Sequence, residues 1–203
     1  MDYWNDIITE KSWNTLQKIR KWPVDFVLIG GWAAYLWTKL HKSKDIDIVL
    51  KDFNDLKYLK ENYELRKNDN LKKYEIKIED VDIDIYVPYY SKLAVPAEDV
   101  IRHSTKLQNF NVVQPEILLI LKQGAEKDRE NSIKGGKDRI DIVTLLLFCE
   151  IDFKKYREIL NKYSPNEFRE RLKRILVNFR EIKYLELNPR EFKLKKEGIL
   201  KKI

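Results

Sequence analysis

Cysteine is nearly missing from this 203-residue chain: Cys149 stands alone, so no internal disulfide can form. The only histidines are His41 and His103, too few and too far apart for a zinc-ligand cluster. Long apolar runs are missing too. A run such as Ile117 to Leu121 falls far short of the ~20 residues that a membrane-spanning helix needs, so no membrane role is expected. The opening Met1-Asp2-Tyr3-Trp4-Asn5-Asp6 has no basic segment, apolar stretch or Ala-x-Ala site, and therefore predicts no signal peptide and a cytoplasmic location. No internal repeat or low-complexity tract is present, and six Gly and six Pro exclude collagen-like or linker-like chains. Four Gln and one Met beside a surplus of Lys and Glu match the bias reported for hyperthermophiles, which points weakly to a thermophilic source.

Hydrophobic residues make up 43% and charged residues 36%, enough hydrocarbon for a packed core under a highly charged surface. The length suits one large domain or two small ones. The formal net charge of +7 is unevenly placed. Residues 151–203 carry 16 Lys+Arg against 8 Asp+Glu, which leaves 24 against 25 in residues 1–150. A C-terminal surplus of this kind favours an anionic partner, nucleic acid first, although a solvated helix face accounts for it equally well.

Residues 3–20 place Trp4, Ile7, Ile8, Trp13, Leu16 and Ile19 at three- and four-residue spacings, predicting an amphipathic helix that Pro23 ends. Val24 to Ile29 reads as a strand, Gly30-Gly31 opens a helix through Leu40, and Asp45 to Leu50 reads as the next strand. A helix over 53–63 follows, capped by Asp52 or Asn54. Then come short strands at 64–66, 74–78 and 81–87, the last two joined by Glu79-Asp80 in a tight hairpin. Beyond Pro88 the apolar spacing turns helical, with Pro96 and Pro115 at first helical positions and helices over 115–130 and 137–149. Ser164-Pro165-Asn166-Glu167 is a capping box for a helix to about Phe179, and Asn188-Pro189 starts another. The expected architecture is α/β (α+β): a mixed, partly antiparallel sheet flanked by helices over residues 1–95, and a helical half over 96–203.

Three features of the first half belong together: Gly30-Gly31 between strand and helix, Asp45-Ile46-Asp47 on the next strand, and Asp82-Ile83-Asp84 on a later one. Alternate strand residues share a face about 6.6 Å apart, so Asp45 pairs in direction with Asp47, and Asp82 with Asp84. Gathered carboxylates repel, by ~4 kcal/mol for two charges ~4 Å apart at an effective dielectric of 20. A divalent cation reverses that sign, and oxygen ligands without His or Cys favour Mg²⁺. A Gly-Gly turn lets backbone amides at a helix N-terminus approach an anion.

This pattern resembles the nucleotidyltransferase superfamily of DNA polymerase beta, whose signature is Gly-Gly or Gly-Ser opening a helix, Asp-x-Asp on the following strand, and a third Asp later. Here it reads Gly30-Gly31-Trp32, Asp45-Ile46-Asp47 and Ile83-Asp84-Ile85. The AbiEii-like and MenA-like branch, often toxins of toxin-antitoxin pairs, continues its first motif as Arg-x-Ser-x-Asp-x-Asp; Ser43 matches, while His41 stands where Arg is expected. The branch's Leu-x-x-Lys-x-x-Ala helix is matched by Leu119-Ile120-Leu121-Lys122-Gln123-Gly124-Ala125, its following Arg by Arg129, and its Lys-Asp-x-x-Asp helix start by Lys137-Asp138-Arg139-Ile140-Asp141. The similarity spans about residues 24–148.

The resemblance implies an Mg²⁺-dependent nucleotidyltransferase that moves a nucleoside monophosphate from an NTP to a hydroxyl acceptor, with two metal ions during turnover. Asp45, Asp47 and Asp84 are then metal ligands and catalytic groups, with Asp82 as an alternative to Asp84. Gly30, Gly31, Ser43 and Lys122 hold the triphosphate, ordered by Asp138 or Asp141, and the helical half completes the nucleotide site. The acceptor would be RNA such as tRNA, or protein, and an antitoxin is a possible partner. Alternatives are a small-molecule adenylyltransferase of the antibiotic-modifying kind and a non-catalytic nucleotide-binding module.

Each element also has a plain structural explanation. Gly30-Gly31 alone is equally a tight turn, and Asp45 and Asp84 alone fit a strand entry and an exposed sheet face. Lys122 shares a helical stripe with Leu118, Ala125 and Arg129, so its charge needs an anionic partner, either a ligand or Asp138 or Asp141. Lys134-Gly135-Gly136-Lys137 lacks the preceding strand and spacing of a phosphate loop. Ser104 and Thr105 have no base and acid pattern around them, and His103 receives no role.

Overall fold

A computed structural model describes residues 6–163 and 167–203, in two units, Met1–Gln114 and Pro115–Ile203. The first unit runs α1 (Asp6–Ile19), β1 (Phe26–Ile29), α2 (Gly30–Thr38), β2 (Ile46–Leu50), a 3₁₀ turn at Phe53–Asp55, α3 (Leu56–Asn62), β3 (Arg66–Asn68), β4 (Lys73–Ile78), β5 (Val81–Tyr86), α4 (Ala97–Arg102), β6 (Ser104–Leu107) and β7 (Phe110–Val113). Its strands form one mixed sheet in the order β3-β4-β5-β2-β1-β7-β6. The pairs β2/β5 and β1/β7 are parallel and the others antiparallel.

Two-residue alternation fixes which face is core. Ile46 and Ile48 lie opposite Ile83 and Ile85, all four fully buried, so the intervening aspartates turn to the other face. The β4/β5 hairpin closes as expected through Glu79 (φ 50) and Asp80 (φ 67), both left-handed, which matches the twist of the flanking strands. Lys18 and Lys11 of α1 reach these two acids at 2.6 and 2.9 Å, exposed pairs that contribute little.

Two expectations need correction here. Residues 104–113 form a second hairpin, turning at Gln108 (φ 49) and Asn109 (φ 66), where helical structure was expected. Leu28 pairs with Val112, so this hairpin extends the sheet beyond residue 95, and the two units divide at Gln114. Strands of four residues, one of them the polar Ser-Thr-Lys-Leu, carry too little alternation to be read from sequence. In α1, Leu16 and Ile19 are buried as expected, but Ile7 is 81% and Ile8 44% exposed; Thr9, Ser12 and Thr15 are buried instead, and Trp4 lies outside the described residues. Small polar residues let α2 approach, since Ser12 Oγ accepts a 2.9 Å bond from the indole N–H of fully buried Trp32.

The second unit contains α5 (Pro115–Asp128), α6 (Ile133–Phe148), α7 (Phe153–Tyr163), α8 (Glu167–Asn178), a 3₁₀ turn at Ile182–Tyr184, and α9 (Pro189–Leu200). Its largely apolar core includes a buried polar chain in which Tyr156 donates to Gln123 Oε1 and Gln123 donates to the Phe168 carbonyl, both at 2.7 Å. That chain ties α5, α7 and α8 together without an unsatisfied amide. The α6 helix starts at Ile133, four residues before the expected start, because Ser132 accepts from the Gly135 amide at 3.0 Å. The Lys134 to Lys137 run is thus a first helical turn. A Cβ on Gly135 would strike the Arg129 carbonyl, so that glycine serves close packing. Asn188 and Glu191 make the capping box of α9. Ser164, Pro165 and Asn166 lie outside the described residues. No helix among the described residues is long and apolar enough to cross a membrane.

Candidate active site

Strand register brings together carboxylates that are 37 residues apart in sequence. Asp47 lies opposite Asp84 across the parallel β2/β5 pair, and Asp84 lies opposite Glu75 across the antiparallel β4/β5 pair. The three therefore form a row over adjacent strands, at the ~4.8 Å strand spacing, on the face away from the isoleucines. Lys73, two residues before Glu75, shares that face. Its Nζ lies 2.6 Å from Asp84 Oδ2 and 3.0 Å from Glu75 Oε1, with the side chain 11% exposed. Asn68 donates to Glu75 at 3.0 Å.

Burial first, then the charge of Asp47, pushes the Asp84 carboxyl up to about 6, against the pull of Lys73. For Lys73, burial works to lower the pKa, but the bonds to Asp84 and Glu75 outweigh it and hold the ammonium above its usual range. Asp82 and Asp84, alternatives in the sequence, sit in different surroundings. Asp82 is exposed, with Lys77 at 3.9 Å, whereas Asp84 is half-buried beside Asp47.

Asp45 sits in a bend ahead of β2 and is exposed, so the strand begins one residue later than expected and strand alternation does not govern its direction. Gly30 opens α2 at φ 66, and a Cβ there would fall on the Asp47 carboxylate, 2.6 Å from Cγ and 2.8 Å from Cβ. Only glycine fits between the helix start and that side chain. Ile29, the residue before the helix, offers no side-chain cap to the first amides of α2. Gly31 and Ser43 are buried, and His41 is half-buried. Among the described residues no three His, Cys, Asp or Glu side chains converge as a preformed metal centre. Mg²⁺ does not require one, since it is commonly held by one or two carboxylates plus substrate phosphates. The crowded Asp47 and Asp84 pair fits that mode.

In the second unit, Lys122 Nζ pairs with Asp141 Oδ2 at 2.6 Å and with Asp138 Oδ1 at 3.5 Å, all three side chains no more than 10% exposed. Arg129 grips Asp138 through Nε and Nη2 at 2.6 and 3.0 Å. The charge on the apolar stripe thus has protein partners, and the Lys, Arg, Asp and Asp of the expected motif form one network.

No family model matches the chain, and no curated protein matches it. Solved structures do. JHP933 from Helicobacter pylori superposes with a TM-score of 0.53 at 15% identity, covering 98% of this chain and 94% of that one. A candidate nucleotidyltransferase from Helicobacter pylori gives 0.52 at 16% identity, over 97% and 95%. The fold is that of the nucleotidyltransferases.

Within this nucleotidyltransferase fold, sequence reasoning missed Lys73 and Glu75. Both lie on a strand of alternating Lys-Tyr-Glu-Ile-Lys-Ile, and only the register of β4 against β5 shows that they meet Asp84. The C-terminal basic surplus is also less free than its count suggests. Arg171 is buried against Glu126 (2.6 Å) and Glu130 (3.1 Å), and Arg169 donates to the Ile203 carbonyl at 2.6 Å.

Proposed function

We propose that this chain is a nucleotidyltransferase that transfers a nucleoside monophosphate from an NTP to an acceptor hydroxyl with release of pyrophosphate. The observation that carries the reading is the in-register Asp47 and Asp84 pair beside Gly30, whose missing Cβ leaves room at the Asp47 carboxylate. Asp47 and Asp84, with Asp45 from the adjoining bend, would hold Mg²⁺. Bound Mg²⁺ would neutralise phosphate charge and polarise the α-phosphoryl group.

The acceptor oxygen forms a new bond to the α-phosphorus as the bond to the bridging β-phosphate oxygen breaks, and that electron pair leaves with pyrophosphate. Asp84, opposite Asp47 on the shared sheet face, would take the hydroxyl proton as general base. Gly30, Gly31 and Ser43 are assigned to the triphosphate, through backbone approach and the uncapped amides of α2. By resemblance Lys122 shares that role, with Asp138 and Asp141 fixing it. The resemblance also favours the toxin branch, with RNA such as tRNA as acceptor and an antitoxin as partner.

The test is incubation with each labelled NTP, Mg²⁺, and total RNA or lysate, with Asp47→Asn as control. Label transferred to RNA by the wild type alone supports the reading. Label on a small molecule moves the assignment to the antibiotic-modifying kind. Mg²⁺-dependent nucleotide binding without pyrophosphate release on any acceptor leaves a binding module.

A further inference from the structure

Asp84 is the last member of a chain of polar contacts that begins in the turn between β3 and β4. The Leu71 amide donates to Asn68 Oδ1 at 3.0 Å, and Asn68 Nδ2 donates to Glu75 Oε1 at 3.0 Å. Lys73 Nζ lies 3.0 Å from that same Oε1 and donates to Asp84 Oδ2 at 2.6 Å. Both ends of the Asn68 amide are used, so the chain is fixed at its origin. Strand register supports each further link, because Asn68 lies opposite Lys73 and Glu75 opposite Asp84.

The two oxygens of Asp84 are treated differently. The ammonium holds Oδ2, whereas no donor among the described residues reaches Oδ1. A carboxylate gripped at one oxygen cannot turn about its Cβ–Cγ bond without breaking that contact, so the ammonium decides which oxygen is left to react. Packing of the sheet does not call for a lysine here, since Ile76, Ile83 and Ile85 fill the opposite face of the same two strands. An ammonium is costly to bury unless it is paired, and this side chain is only 11% exposed. We propose that Lys73, set in place by Glu75 and Asn68, is a positioning residue that fixes Asp84 Oδ2 and leaves Oδ1 to the acceptor hydroxyl. The inference rests on the nucleotidyltransferase reading and adds to it which oxygen of Asp84 reacts and what aims it.

Two measurements on the full chain test it. In steady-state transfer, Lys73→Met keeps the aliphatic stem and should lower kcat about 100-fold, the loss that a misplacement of ~1 Å brings, with KM for the NTP unchanged. Lys73→Arg should recover most of that loss. Glu75→Gln should give a smaller fall in kcat alone, and it decides the matter if the Met variant does not fold. The second readout is the side-chain ammonium signal in NMR of protein with isotope-labelled lysine, assigned to Lys73 by its absence from Lys73→Arg. It should be protected from solvent exchange without ligand and stay protected with Mg²⁺ and a non-hydrolysable NTP analogue. Unchanged kcat in the variants, a loss carried by KM, or an ammonium released when Mg²⁺ and the analogue bind overturns the inference and leaves the nucleotidyltransferase reading standing. A wild type that transfers no label to any acceptor removes that reading and the inference with it.

Discussion

Replacing Asp84 by Asn should stabilise the protein in the absence of nucleotide and metal, and the gain should depend on pH. The carboxyl titrates at about 6 in the folded chain against an ordinary value of 3.8, because burial and Asp47 disfavour its charge. About two pKa units at ~1.4 kcal/mol each puts the cost of the ionised group at about 3 kcal/mol. Its side chain is 22% exposed, so this is an upper figure. Since the folded pKa exceeds the unfolded one, the folded chain binds the proton more tightly. The cost is present in full above about pH 6 and is relieved as the pH falls through 6 toward 3.8. Asn mimics the uncharged form, and Lys73 keeps Glu75 at 3.0 Å, so no buried ammonium is orphaned. Thermal melts at pH 8 should rise by several degrees, at roughly 2–4 °C per kcal/mol for a chain of this size, and the advantage should shrink by pH 5. With Mg²⁺ and an NTP analogue the order should reverse, because only the wild type gains binding energy. A variant that melts below the wild type at pH 8, or keeps its advantage at pH 5, refutes the account of the carboxylate row.

Asp47→Asn should abolish transfer with no loss of melting temperature, since it removes one charge from a repelling row; near-normal turnover would remove the metal-ligand assignment. Lys122→Met should lower stability by about 3–5 kcal/mol by stranding buried Asp141, and adding Asp141→Leu should recover most of it, both read from urea melts. Gly30→Ala should cost at least 1–2 kcal/mol from its left-handed backbone and weaken NTP binding through the displaced Asp47, as titration calorimetry would show. If RNA is the acceptor, reversing Lys173, Arg174 and Arg180 should weaken RNA binding and flatten its salt dependence without changing NTP affinity. Arg171→Glu should instead unfold the second unit, because Arg171 is buried against Glu126 and Glu130. Filter binding across a salt series separates these two outcomes.

Local signals alone determined much of this protein. Alternating isoleucines marked β2 and β5, Glu79-Asp80 marked their hairpin neighbour, Pro115 and Asn188-Pro189 marked helix starts, and Gly30-Gly31 with Asp47 and Asp84 marked a candidate site. Each of these rests on contacts within a few residues, which the sequence order itself displays. Register belongs to the tertiary structure. Strand pairing set Asp84 rather than Asp82 opposite Asp47, placed Lys73 against Asp84, and carried β6 and β7 onto β1. Likewise, only the packing of α5 on α6 shows that the lysine on an apolar stripe meets Asp141 and that a glycine pair in a basic run is a crowded helix turn. Pattern fixes which face a side chain takes, but the partner it finds there depends on a second segment whose alignment no local periodicity encodes.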